Sequence, residues 1–115
     1  MQRKYLIVAD MIISGEKEGP VCPSAKNIGI IALGENPVCF DEMISKIMGA
    51  KYEYMHTLHH ARKPKGKINL VKNDERPYLI SNDKRWNEKY LDDISKEQML
   101  YFKPTSGWKE AFEEK

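Results

Sequence analysis

A chain of 115 residues has room for one hydrophobic core and not for two. With 41% hydrophobic and 31% charged residues it is not a disordered chain, and a formal net charge of +2 is too small for the clustered Lys/Arg that a nucleic acid or an anionic membrane surface requires. Two cysteines, Cys22 and Cys39, form no CxxC pair and are too few for a disulfide framework or an iron–sulfur ligand set, which points to a reducing, cytoplasmic home without a cluster cofactor.

The N-terminal stretch MQRKYLIVADMIISGEK has a basic head and an apolar run, but Asp10 interrupts the run and no small-residue cleavage site follows. Residues Lys4 to Ala9 therefore read as a buried strand that ends at Asp10, and the Gly/Pro-punctuated segment Ser14 to Ser24 reads as a loop. Asn27 to Leu33 (NIGIIAL) is a second continuous apolar run closing on Gly34, hence a second buried strand. No run approaches the ~20 residues needed to cross a bilayer.

The next segment carries the strongest helix signal in the chain. Asn36 stands as N-cap, Pro37 at the first helical position, Asp41 and Glu42 early, and Gly49 just past the end. Phe40, Met43, Ile44, Ile47 and Met48 share one face by their i, i+3, i+4 spacing, which leaves Ser45 and Lys46 for water. Tyr54 to Arg62 predicts a shorter helix with Met55 and Leu58 inward, halted by RKPKGK. Lys67 to Lys72 and Pro77 to Ser81, four residues apart, predict a β-hairpin, and the chain beyond Asn82 reads as an irregular tail packed through Ile94, Met99, Tyr101 and Phe102.

Taken in order, Asp10, the loop SGEKEGP (Ser14 to Pro20), the strand NIGIIALG and the run ENPVCFDEMISKIMG (Glu35 to Gly49) resemble the last third of proteins in the bacterial and archaeal domain-of-unknown-function family 362. FKPTSGW (Phe102 to Trp108) is similar to the ending of members associated with polysaccharide biosynthesis. The resemblance implies that residues 1–115 form one domain matching the C-terminal portion of a longer member, with a missing N-terminal domain or another protein as its partner. It brings no catalytic residues. The ferredoxin-like cysteine clusters that some members carry are absent, and WKEAFEEK stands where a Trp-Lys-Gly-His ending would be expected.

Three groups of residues suggest chemistry. Asp10, Gly15, Glu18, Gly19, Asn36 and Asp41 would form a polar-ligand corner if the loops after the two strands converged at one sheet end. There glycine backbone and a helix N-terminus could meet a ligand, while the local carboxylates favour a cation or sugar hydroxyl over phosphate. The bland alternative is that the glycines serve turns and Asn36 and Asp41 stabilise a helix start. His56, His59 and His60 share a helix face at i, i+3 and i+4, a spacing that suits zinc, nickel or copper, but no HExxH carboxylate accompanies them. Cys39, in the first turn of a helix, and Cys22, in a polar loop, are candidate nucleophiles without a neighbouring histidine in sequence, and packing is the simpler role.

The expected fold is α+β, a small mixed β-sheet packed against one main helix and a shorter second helix, with a β-hairpin and an irregular C-terminal tail. The expected function is that of a binding or structural module. The alternative is a small metal-dependent or cofactor-using enzyme, or a fragment of an iron–sulfur-associated redox protein. The first requires an exposed apolar patch and the second a closed pocket with convergent polar groups.

Overall fold

The computed structural model describes Lys4, residues 6–63 and residues 75–115. Two long strands, β1 (Ile7–Glu18) and β2 (Cys22–Gly34), pair antiparallel from Ile7 opposite Gly34 to Glu18 opposite Cys22. They are followed by helix α1 (Pro37–Met48), a 3-10 turn at Tyr52–Tyr54 and helix α2 (His56–Arg62). A two-residue strand β3 (Tyr78–Leu79) then pairs antiparallel with β4 (Lys89–Tyr90) in a separate small sheet. The α+β class holds, and both sheets are antiparallel rather than mixed.

The expected loop from Ser14 to Ser24 is instead the continuation of both strands, with only Gly19, Pro20 and Val21 left to turn the chain. The Gly19–Pro20 peptide is cis. Charge and glycine in SGEKE hide the strand because its inward side chains are polar. Glu16 and Lys26 pair with each other at 3.3 Å on the covered face and are satisfied further by the tail. The hairpin expected between 67–72 and 77–81 has its first half outside the described residues, and Tyr78–Leu79 finds its partner in Lys89–Tyr90. Tyr78 and Tyr90 face each other there with ring centroids 4.9 Å apart.

Helix α1 begins and ends where its sequence signals place it. Asn36 Oδ1 accepts from the backbone N–H of Val38 at 3.0 Å and of Cys39 at 3.2 Å, satisfying two donors that the first turn leaves without helical partners. Gly49 sits at φ 92°, a left-handed position that costs a residue with a Cβ ~1 kcal/mol or more, and its N–H closes the last turn on Lys46 O at 3.0 Å. The inward face differs from expectation by a rotation: Val38, Glu42, Met43 and Ile47 are buried, while Phe40, Ile44 and Met48 are only half-buried, as are Ser45 and Lys46.

Met43 and Ile47 join Trp86 and Ile94 in the core, with Ile30 of β2 and Leu100 packed against them. Each such side chain contributes about 1.5–3 kcal/mol on burial. Trp86 is tied in by its indole N–H, which donates to Gln98 O at 2.9 Å. The tail does more than cover this core. Leu100 and Phe102 N–H donate to the carbonyls of Ile47 and Met48, at 2.8 and 2.9 Å, and so cap the helix end. Lys17 N–H then donates to Lys103 O at 2.7 Å, Lys103 N–H to Glu16 at 3.0 Å and Ser106 N–H to Glu18 at 2.9 Å, which straps the hairpin tip to the body.

Candidate docking face and the polar groups

Strand alternation gives the β1–β2 hairpin two unlike faces. One carries Met11, Ile28 and Ile30 toward the core and, nearer the tip, Glu16 and Lys26 toward the tail. The other carries Leu6, Val8, Ile12, Ile13, Ile31 and Leu33, which are between 47% and 67% exposed. Six large aliphatic side chains on one face of a two-stranded ribbon form a contiguous apolar surface, unlike the scattered exposed aliphatics common on soluble proteins. The expectation of buried strands is met on one side only.

Asp10 lies within this apolar surface, opposite Ile31. The pairing register slips between Met11 and Ile13, and Asp10 Oδ1 accepts the N–H of Ile12 in that bulge at 3.0 Å. The carboxylate thus serves the irregular backbone, a role that only the register could reveal.

The predicted polar corner is spread along the hairpin. Gly15, Glu18 and Gly19 belong to its tip, Asp10 to its middle, and Asn36 and Asp41 to the helix that starts beyond its base. At ~3.3 Å per residue the tip and base are roughly 35 Å apart. Asn36 and Gly19 therefore meet no common ligand. Asn36 caps α1 and its Nδ2 donates to Glu75 at 2.6 Å, Glu18 accepts from the N–H of Ser106 in the tail, and Asp41 is exposed. A strand–loop–strand reading would have brought the loops to one sheet end; a hairpin separates them by its own length.

The histidines gather no ligand set. His56 and His60 are exposed, and His59 is half-buried against Tyr52, with ring centroids 4.4 Å apart. Among the described residues no group of three His, Cys, Asp or Glu side chains is placed to hold a metal ion.

A different polar cluster, unforeseen from sequence, joins the two helices. Glu42 is only 4% exposed, and Arg62 meets it with both forks of its guanidinium: Nε donates to Oε1 at 2.9 Å and Nη2 to Oε2 at 2.5 Å. Tyr52 OH donates to the same carboxylate at 3.2 Å, while Arg62 Nη1 donates to Glu75 O at 2.7 Å. The bonds to Glu42 push the Arg62 pKa further above its ordinary value, and burial followed by Glu42 raises that of the Tyr52 phenol. Cys39 is drawn into the same cluster. Its Sγ accepts from Arg62 Nη2 at 3.4 Å and donates to Glu75 O at 3.6 Å. Burial pushes the thiol pKa up against the opposing pull of Arg62, so the thiol stays protonated at neutral pH and lacks the thiolate a nucleophile needs. The arrangement is that of a clasp between α1 and α2.

Beside these groups, a groove of about 2070 Å³ runs along the outer edge of β2, lined by Ile28 to Glu35, by Phe40, Met43 and Ile44 of α1, and by Tyr78 to Ile80 across from them. It is open and continuous with the exposed Ile31 and Leu33. Among the described residues no helix is long and apolar enough to cross a membrane. No family model, no curated protein and no solved structure matches the chain.

Proposed function

We propose that this protein is a docking module, a binding domain whose hairpin forms one layer of a sheet sandwich completed by another polypeptide layer. The observation that carries the reading is the exposed apolar face of Leu6, Val8, Ile12, Ile13, Ile31 and Leu33 on a hairpin that is otherwise ordered by its tail. Sheets bury such faces about 10 Å from a second layer. In longer proteins of the kind that family 362 represents, the region preceding this one would supply that layer.

The reading makes the open face dispensable for the fold and necessary for docking. In dilute protein, Val8→Lys/Leu33→Glu should melt within roughly 4 °C of wild type, because both side chains are more than half exposed and the introduced charges, directly opposite on the two strands, attract each other. Its fluorescence with the apolar dye ANS should fall several-fold from the wild-type level. Loss of the cooperative melt in that variant, or a wild-type chain that binds no dye, would remove the proposal.

A further inference from the structure

We infer that the tail segment 103–106 is a latch on the hairpin tip, which opens as a unit of its own in acid while the body of the protein stays folded. The movement involves the free end of the ribbon, whatever layer covers its open face. The segment bridges two anchors. On one side Phe102 is 5% exposed, with its N–H on Met48 O at 2.9 Å; on the other Ala111 is 3% exposed, and its carbonyl accepts the Lys51 N–H at 2.8 Å. Residues 103–110 between them are exposed or half-buried, so the bridge can leave the tip with both anchors in place.

What holds the bridge down is polar. Glu16 and Glu18 lie two residues apart on one side of β1 and accept the N–H groups of Lys103 and Ser106, at 3.0 and 2.9 Å. Between them the Lys17 N–H donates to Lys103 O at 2.7 Å, and Pro23, opposite Lys17, has no N–H to offer the ladder. Val21, the large apolar side chain of the turn, is 94% exposed and adds nothing to the contact.

A contact built on carboxylates is one that acid undoes. Burial works against the Glu16 charge, but the Lys103 N–H, the Lys26 ammonium at 3.3 Å and the Lys103 charge outweigh it and hold its pKa below the ordinary 4.5. Lys26 on β2 and Lys103 on the tail are the charged groups facing Glu16, and both keep their charge throughout the acid range. The carboxylate's contribution to closure is therefore complete at neutral pH and disappears as pH falls through its depressed value. The core of Met43, Ile47, Trp86 and Ile94 is apolar and has no such dependence of its own. Acid thus converts a pinned hairpin end into one attached through the ribbon alone.

Amide hydrogen exchange followed by NMR on the intact chain tests this, each rate divided by the intrinsic rate at the same pH. The Lys17, Lys103 and Ser106 amides report the latch, and the Met43 and Ile47 amides of α1 report the body. In wild type at about pH 6 the latch amides should be about tenfold or more less protected than the body amides, and by about pH 3.5 they should lose a further threefold or more relative to them. Glu16→Gln should show that loss already at about pH 6 and change less than wild type on acidification. Ser106→Pro removes the N–H that meets Glu18 at a place a proline fits, since Thr105 before it is extended at φ −62°, ψ 160° and Ser106 opens a 3-10 turn. It should lower Lys17 and Lys103 protection about fivefold and leave the body amides unchanged. Latch amides that follow Met43 and Ile47 at every pH, or that keep wild-type protection in both variants, overturn the inference, and the wild-type pH series decides alone should a variant not fold. Neither result touches the dye and melting measurements on the open face.

Discussion

Replacing Glu42 by Gln removes one charge from the clasp between α1 and α2 at almost constant volume. Glu42 is 4% exposed and receives two bonds from Arg62 and one from Tyr52. The introduced amide keeps one acceptor oxygen but presents an N–H₂ group to the guanidinium, so a donor meets a donor at the 2.5 Å contact. Removing one partner of a fully buried pair costs about 3–5 kcal/mol. The Arg62 side chain retains 19% exposure, and water reaching it lowers the expected loss to about 2–3 kcal/mol. For a chain of this size each kcal/mol moves the melting temperature by roughly 4 °C, so Glu42→Gln should melt about 8–12 °C below wild type. Tyr52→Phe, which deletes one bond, should lose about 1 kcal/mol, and less than that in the Glu42→Gln background because the two share an acceptor. Circular dichroism melts at neutral pH measure all four proteins. A Glu42→Gln chain melting within about 2 °C of wild type would mean the clasp does not hold the helices together.

Two further outcomes follow from the backbone and the tail. Gly49→Ala should cost about 1–2 kcal/mol in urea denaturation, since alanine must adopt φ 92° to end α1; a neutral effect would show that the helix terminates differently. Burial of Glu16 works against its charge, but the Lys103 backbone N–H and the Lys26 ammonium prevail and hold its pKa below the ordinary 4.5. A carboxylate depressed in the folded state contributes stability that is complete above its unfolded pKa and disappears as pH falls through the folded one. Between about pH 5 and about pH 3 the wild-type urea midpoint should therefore fall more steeply than that of Glu16→Gln, and parallel profiles would refute the assignment.

Helix α1 was legible because its signals are local: Asn36, Pro37 and Gly49 act within a turn of themselves. Which of its faces lies inward was only half legible. Glu42 reads as a carboxylate early in the helix, and nothing near it announces that Arg62, twenty residues on, will bury it. The hairpin was legible as two apolar runs and illegible as a hairpin, since Glu16, Glu18 and Lys26 look like loop residues until Lys103 and Ser106 are seen to meet them. The polar corner depended on that misread connection. Its residues lie along the ribbon and at the start of α1, whereas the open apolar face was present in the same apolar runs and needed only the register to show that one side stays uncovered.

The strap across the hairpin tip also sets an order on the making of the protein. Glu16 and Glu18 meet Lys103 and Ser106 across separations of 87 and 88 residues. At ~5–20 residues per second, the ribosome exposes the ribbon many seconds before it can deliver the strap. During that interval the inward side of the nascent hairpin, with Met11 and Ile30, is as bare as its open side, the condition under which non-specific association begins. Covering by chaperones should matter most to this chain while residues 35–102 are being translated.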